Sequence, residues 1–503
     1  MTNIMNWIDA YKFDHRRQYP EGTTQILSNF TPRTSRIEGI DSVVFFGLQI
    51  FLDQFHEAFR KFFAGDIDAI CEEYQTNLDQ ILGPNNIGTD HIRELHELGY
   101  VPLEFKAVPE GYSVPLRVPM FTVENTDPRF FWLVNYFESA ISAAVWLPCT
   151  SATQAKRMRD LLLDWADQTG TPEAVVDFQL HDFSFRGLSS IESAGTSGAA
   201  HLLSFLGSDS IVAKDVIQKH YYDHSGQVPE PVLLSVAATE HSVMCAGGAE
   251  PEDEQATYEH LLDLYPTGIV SVVSDTWDLW NVLTVILPNL KDKIMARDGK
   301  LVIRPDSGDP ADILCGLNTS SESFAQYNAG NDVNRVKGVI ELLWDIFGGT
   351  VNDAGFKELD PHIGAIYGDS ITYERADDIC RRLADKGFAS GNVVFGVGSY
   401  TYQYVTRDTF GFAMKATNVV INGEERAIFK DPITDNGTKK SAKGRVAVLF
   451  DDVLEDFFLE DQLSTEELEL LDEQGQNYLQ TVYVDGNFSN RLDFATIKAN
   501  VRT

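Results

Sequence analysis

The chain has 503 residues, 43% of them hydrophobic and 11% aromatic, enough to bury more than one core and, by length, to form roughly two to four domains. Its 75 acidic residues against 40 basic ones give a formal net charge of -35, so no basic stripe survives to make it a general nucleic-acid binder. The five cysteines (Cys71, Cys149, Cys245, Cys315, Cys380) lack metal-ligand or redox spacing, no apolar run approaches a membrane span, and Met1 to Asp9 lacks the pattern of a secretory leader. The expectation is a soluble cytoplasmic protein with neither nucleic-acid nor membrane partner.

In chain order, Asp9-Ala10-Tyr11-Lys12 and Tyr19-Pro20-Glu21-Gly22 set polar and turn residues around aromatic anchors. Gln25 to Phe30 reads as a strand and runs into Thr31-Pro32-Arg33. Phe46 to Phe63 and Ile67 to Leu82 read as helices, with Phe51, Phe55, Phe59 and Phe62 at helical spacing. Such a stripe is assigned to core packing rather than to a cofactor. From Glu104 to Thr122, short strands punctuated by Pro109, Gly111, Pro115 and Pro119 suggest an antiparallel piece, and a boundary follows near residue 150.

From there to about residue 400 one grammar repeats, an apolar strand that ends in Asp, His or Gly. Val175 to Leu180 precedes His181-Asp182-Phe183, Pro231 to Ala237 precedes Thr239-Glu240-His241, and Gly268 to Val273 precedes Ser274-Asp275. Leu301-Val302-Ile303 runs into Arg304-Pro305-Asp306-Ser307-Gly308-Asp309-Pro310, Ile363 to Tyr367 into Gly368-Asp369, and Asn392 to Phe395 into Gly396-Val397-Gly398-Ser399. Helix-length segments such as Trp277 to Ile286 and Tyr373 to Lys386 separate most of them. Alternating β and α elements with strand ends facing one way predict an α/β fold. The reading is an irregular TIM-like (β/α) barrel over 151–400, with a doubly wound open sheet as the alternative. A second, α+β domain is assembled from 1–150 and 401–503.

The Arg304 to Pro310 stretch delivers a cation, carboxylates, a hydroxyl and a flexible glycine to a strand's C-terminal end, where such folds place ligands. The competing reading is a solvated loop in which Asp306 caps the next helix. Phe410 to Ile421 and Arg426 to Phe429 suggest a hairpin turning at Asn422-Gly423. Residues 316 to 336 read as a polar insertion, and Leu454 to Gln474 as an acidic, solvated helix face. Arg407, Lys415, Lys430, Lys439, Lys440, Lys443 and Arg445 gather in the C-terminal part of an otherwise acidic chain, which would suit a polyanion such as pyrophosphate. Each alone is an ordinary surface cation.

His181-Asp182-Phe183-Ser184-Phe185-Arg186-Gly187, Phe205 to Asp209, Ala238 to Ser242, Ser271 to Asp275, Ile303 to Gly308 and Phe429 to Pro432 together resemble the nicotinamide phosphoribosyltransferase family, colinearly from Asp9 to Val482. The resemblance implies transfer of phosphoribosyl from phosphoribosyl pyrophosphate to nicotinamide, with Mg2+, in a homodimer with shared active sites. ATP hydrolysis would be coupled through a phosphohistidine. It further implies that Phe183 and a second copy's Tyr11 stack on the pyridine ring, with Asp9 and Ser271 among the substrate contacts. Asp209 and Arg304 would hold the carboxamide, and Asp306, Gly368 and Asp369 the ribose. Arg186, Gly398 and Ser399, with a second copy's Arg407 and Lys415, would hold the phosphates, and Arg33, Lys430 and Lys439 would lie near ATP or pyrophosphate. His241 is implied as the phosphorylated residue, and Asp275 and Asp306 as catalytic carboxylates and metal ligands. The family's Gly-Ser-Gly-Gly-Gly loop is here Gly396-Val397-Gly398-Ser399-Tyr400, and its Asp-Phe-Gly-Tyr-Arg run is Asp182-Phe183-Ser184-Phe185-Arg186. A nicotinate phosphoribosyltransferase is the near alternative. A barrel glycoside hydrolase using Asp275, Asp306 and Asp369 is the more distant one, and a non-catalytic binding protein on the same scaffold is a third.

Overall fold

The structure, a computed structural model, describes residues 3–222, 232–248, 250–317, 333–434 and 440–502. The chain divides into two compact units. Met1–Thr153, Val216–Gln227 and Val405–Thr503 form the first, and Gln154–Asp215 with Val228–Tyr404 the second.

The first unit is built on an antiparallel sheet in the order Glu424–Ala427, Ala413–Ile421, Thr23–Thr31, Phe121–Asn125, Leu103–Ala107, Gln480–Val484, Asn487–Phe488. Thr23–Thr31 pairs on one side with Ala413–Ile421, so residues from both ends of the chain share the sheet. The hairpin turns at Asn422-Gly423, both with positive φ as a tight two-residue turn requires. The helix Leu48–Ala64 buries Phe51, Phe55, Phe59 and Phe62, and the Phe55 ring lies 4.8 Å from Phe59 and 5.1 Å from Phe137. Spacing of three and four places those rings on one helical face, where each removes a large apolar area from water. The stripe is core.

The second unit is a mixed α/β fold on a parallel, half-barrel sheet. Its strands run Gly207–Ser208, Leu180–Asp182, Val393–Val397, Ile363–Tyr367, Asp298–Arg304, Thr267–Val273, Ala237–Ala238. All of these pairs are parallel, so every strand's C-terminal end faces the same way. Leu234 links the two sheet edges: its N–H donates to Leu206 O (2.8 Å), and its carbonyl accepts from Ser208 N–H (3.0 Å).

Several expected boundaries are corrected. Glu173–Gln179 is an α-helix and the strand is only Leu180–Asp182, because Pro172 opens a turn that buries Val176 and Gln179 at i,i+3 spacing. Packing there overrides the β preference of two adjacent valines. The strand expected up to Ala237 is only Ala237–Ala238 among the described residues, and Pro231 lies outside them. Leu454 to Gln474 is not one helix. Asp456–Leu463 is a strand paired with Arg445–Asp451, and only Thr465–Glu473 is helical, started by a reciprocal Ser464–Glu467 capping box. Most of the 316–336 insertion lies outside the described residues.

Within the span 151–400, the residues from Gln154 on cluster with the second unit, except Val216–Gln227, which clusters with the first. There His220 Nδ1 lies 2.7 Å from Asp53 Oδ2, and the Tyr221 hydroxyl donates to buried Glu110 at 2.8 Å. Among the described residues no single helix is long and apolar enough to cross a membrane. All five cysteines are free, four of them buried and Cys245 exposed.

Candidate active site

The parallel sheet explains why chemistry-bearing residues converge. At the C-terminal end of each strand the chain passes into a turn or loop that carries polar or aromatic side chains. Leu180–Asp182 delivers Phe183, Gly207–Ser208 delivers Asp209, Ala237–Ala238 leads to His241, and Thr267–Val273 to Asp275. Asp298–Arg304 ends beside Asp306, Ile363–Tyr367 beside Gly368 and Asp369, and Val393–Val397 beside Gly398 and Ser399. Asp306 does not cap the following helix. Asp309 does, accepting the Ala311 and Asp312 N–H groups at 3.0 Å each.

A cavity of about 210 Å³ is lined by Phe183, Asp209, Ser271 and Arg304, together with His181 and Lys300. Residues at period two along Asp298–Arg304 (Lys300, Val302, Arg304) face it, as the pleat of a strand dictates. The Phe183 ring is close enough to the backbone of Gly396 that a Cβ there would lie 2.6 Å from it, so the position admits only glycine. Asp209 Oδ1 accepts from Ser235 Oγ (2.5 Å) and lies 3.0 Å from His181 Nε2. Burial opposes ionisation of Asp209, but the His181 and Ser235 hydrogen bonds and the nearby His181 and Arg304 charges outweigh it. Its pKa is therefore held below the ordinary carboxylate value. The turn before helix Ile211–His220 is closed by Ser208 Oγ, which accepts the Ser210 N–H at 3.0 Å, while the Asp209 carboxylate is held by the cavity-lining Ser235 and His181.

At the strand ends, Asp275 Oδ2 accepts from the Asp306 N–H (3.0 Å) and the Ser307 hydroxyl (2.5 Å), and Asp275 Oδ1 lies 3.4 Å from His241 Nε2. Arg304 Nη2 is 3.5 Å from Asp306 Oδ2. Burial raises the Asp306 pKa. Arg304 and His241 pull it down, Asp275 and Asp369 push it up, and the balance stays above the ordinary carboxylate value. A Cβ at Gly368 would lie 2.4 Å from Asp306 Oδ1, so any larger residue there would displace the Asp306 carboxylate. Asp275 Oδ1, Asp306 Oδ1, Arg304 Nε and Ser271 Oγ are buried without a hydrogen-bond partner among the described residues. Groups of this kind are costly to desolvate unless a ligand completes them. No three His, Cys, Asp or Glu side chains form a preassembled metal cage among the described residues. The carboxylates of Asp306, whose Oδ1 has no hydrogen bond, and of Asp275, whose Oδ1 has only the 3.4 Å contact to His241, nevertheless fit Mg2+, which commonly takes one or two carboxylates and completes its shell with water and phosphate. Gly187 packs against the Ser399 side chain, bringing Arg186 together with Gly398 and Ser399.

The first unit gathers a separate set. Tyr11 is 60% exposed, and the Asp9 carboxylate accepts from the Ser139 hydroxyl. Buried Lys12 donates to Glu138 Oε2 at 2.6 Å, and Lys415 Nζ lies 3.8 Å from Glu138 Oε1. Burial lowers the Lys415 pKa. Glu138 opposes this, while the charges of Arg33, Lys430 and Arg407 reinforce it. Four predicted polyanion ligands therefore lie within electrostatic reach of one another. Arg445 leaves this group: it is buried, held by Glu425 at 2.6 Å and Glu124 at 3.0 Å. Lys439 lies outside the described residues.

Sequence reasoning missed His181 as the partner of Asp209, Lys300 as a cavity cation and Glu254 behind Asp275. Lys300 was findable, since it stands two and four places before Val302 and Arg304. Glu254 is 3% exposed, and burial followed by Asp278 and Asp275 pushes its pKa up to about 7. No local pattern marks it.

The profile of the nicotinate phosphoribosyltransferase family matches residues 178–487, and that of the nicotinamide phosphoribosyltransferase N-terminal domain matches residues 3–80. The chain is 47% identical over 498 residues to a nicotinamide phosphoribosyltransferase of Acinetobacter baylyi, covering 96% of this chain and 94% of that one. It is 37% identical to one of Mycoplasma pneumoniae, covering 87% and 94%. Among solved structures, a nicotinate-nucleotide pyrophosphorylase of Pyrococcus furiosus superposes with TM-score 0.58 at 13% identity, covering 99% and 94%. Human nicotinic acid phosphoribosyltransferase gives 0.54 at 16%, covering 98% and 92%, and both support the fold alone. Sequence identity of this extent along nearly the whole chain settles its kinship: it belongs to the nicotinamide phosphoribosyltransferase family of enzymes.

Proposed function

We propose that this chain transfers phosphoribosyl from phosphoribosyl pyrophosphate to nicotinamide, giving nicotinamide mononucleotide and pyrophosphate in NAD salvage. The observation that carries the reading is Asp209. Its ionised carboxylate lines the cavity shared with Phe183 and Arg304, where it can accept a hydrogen bond from a carboxamide NH2 while the aromatic face stacks on the ring. The pyridine nitrogen has a free lone pair, so no general base is needed. The C–N bond forms as the C1′–O bond to pyrophosphate breaks, and that electron pair leaves with pyrophosphate. Positive charge developing on the ribose is steadied by Asp306 and Asp369 beside Gly368, and the 5′-phosphate by Arg186, Gly398 and Ser399. Asp275 and Asp306 would hold Mg2+, which when bound neutralises charge on the departing pyrophosphate. The Leu234 link between sheet edges supports an irregular TIM-like barrel as the scaffold. Family membership disfavours the glycoside hydrolase and binding-protein readings.

The test is mass detection of nicotinamide mononucleotide after incubation with nicotinamide, phosphoribosyl pyrophosphate and Mg2+. Absence of product with and without ATP overturns the reading. The cations of the first unit, with exposed Tyr11, support a homodimer in which a second copy supplies Tyr11, Arg407 and Lys415. Mixing inactive Tyr11→Ala with inactive Asp306→Ala is then expected to restore about a quarter of wild-type activity, from one intact site in each mixed dimer. No recovery despite demonstrated subunit exchange would place each site within one chain.

A further inference from the structure

Arg117 stands in a conformation that needs a reason. Val118 N–H donates to Pro115 O at 3.1 Å, closing a four-residue turn over 115–118, and Arg117 occupies its third position with φ +75. This is the left-handed position of a type II turn, which favours glycine because a Cβ crowds the backbone there. The turn is fixed in place: Leu116 N–H donates to Asp41 O at 2.8 Å, and Arg117 N–H to Pro32 O at 2.7 Å, beside Arg33. An arginine retained where glycine would be more comfortable points to a use for its side chain.

That side chain lines a cavity of about 170 Å³ in the first unit, shared with Arg33, Lys415 and Lys440. Asp461 is the single carboxylate among the described lining residues, and it is already engaged as acceptor of the Lys443 N–H at 3.0 Å. Asn29 adds a second, independent pointer. It is 4% exposed, its Oδ1 accepts from the Thr31 hydroxyl (2.8 Å), and its Nδ2 is a buried donor with no partner among the described residues. Four cations and an unspent N–H around one small space are complementary to a compact, multiply charged anion rich in acceptor oxygens.

Resting on the reading of this group as the polyanion site, we propose that Arg117 is an additional ligand of a diphosphate moiety, with the Asn29 amide completing the cradle. The moiety is either free pyrophosphate or the phosphate tail of a nucleoside triphosphate. Arginine suits the task because its planar fork can meet two phosphate oxygens at once, whereas the neighbouring lysines act as point charges.

The test is calorimetric titration of the full-length protein with pyrophosphate, ATP and AMP, comparing wild type with R117G, R117K and K415Q. R117G removes the cation and gives the turn its preferred residue. It is expected to weaken pyrophosphate binding about tenfold while Tm stays at or above the wild-type value, and R117K to recover part of the loss. Parallel weakening of ATP assigns the cavity to the triphosphate tail, and weakening of pyrophosphate alone assigns it to the product. AMP, which has no diphosphate, is expected to show no change between wild type and R117G. Pyrophosphate affinity in R117G within twofold of wild type, or a loss accompanied by a lower Tm and not relieved in R117K, overturns the proposal. If wild type binds pyrophosphate and K415Q weakens it while R117G does not, only the role of Arg117 fails. If wild type binds none, the polyanion reading fails with it.

Discussion

Incubated with ATP and Mg2+, the wild-type protein is expected to acquire an acid-labile, alkali-stable phosphate that His241→Ala lacks entirely, and the variant to lose all stimulation of nicotinamide turnover by ATP. His241 is 51% exposed on its side chain, whereas its partner Asp275 is only 6% exposed. A buried carboxylate 3.4 Å from Nε2 orients the imidazole, so that the opposite ring nitrogen, Nδ1, can present its lone pair. A ring nitrogen would attack the γ-phosphorus of ATP, the P–O bond to ADP would break, and ADP would leave with its electron pair. The phosphoramidate formed would be hydrolysed by acid and preserved by alkali, which identifies it against a phosphoserine. The ring's exposure means that truncation leaves no large cavity, so an unfolded variant is not the expected outcome. Quantitative label from radioactive ATP in His241→Ala would move the phosphoryl acceptor to another residue.

The strand ends were legible because two local rules agree there. In Leu301-Val302-Ile303, β-branched and apolar residues demand burial, and Pro305, Gly308 and Pro310 forbid continuation, so Arg304 and Asp306 had to stand at the sheet's rim. The same agreement placed Gly368-Asp369 after Ile363–Tyr367. Where the rules disagreed, tertiary packing decided. Val175-Val176 favours a strand by propensity, yet Val176 and Gln179 are buried on one helical face. The pairing of Asp209 with His181 joins residues 28 positions apart whose strands happen to be neighbours, and nothing local announces it. The long-range ion pairs of Arg445 are of the same kind. Composition placed it among polyanion ligands, whereas Glu124 and Glu425 claim it for the sheet of the first unit. Charge alone says that a cation is present, and only the fold says which anion it answers.

Replacing Asp209 by Asn is expected to narrow the preference for nicotinamide over nicotinate, with kcat/KM for nicotinamide falling and that for nicotinate rising. In the wild type an ionised carboxylate can accept from the amide NH2, while nicotinate would set a second anion against it. Sites built for one hydrogen-bonding group reject a misfit analogue by roughly 10⁴-fold, and like-charge repulsion adds to this. Arg304 works in the other direction, since it lines the same cavity and attracts a carboxylate, so the sign of the change is set more firmly than its size. The pKa of Asp209 is held low by His181 and Ser235 against the effect of burial, so the carboxylate stays charged at neutral pH and the preference is expected to be flat from about pH 6 to 8. It is expected to decline only as acid protonates Asp209 itself. Asparagine keeps an acceptor oxygen for both donors and leaves the Ser208–Ser210 turn before the next helix untouched, so Tm is expected to move by no more than about 2 °C. Steady-state kinetics with both pyridines, run beside calorimetry, separate the outcomes. A variant that keeps its amide preference but loses several degrees of stability would make Asp209 a structural anchor for His181, and selectivity would then rest with Arg304 and the Phe183 ring.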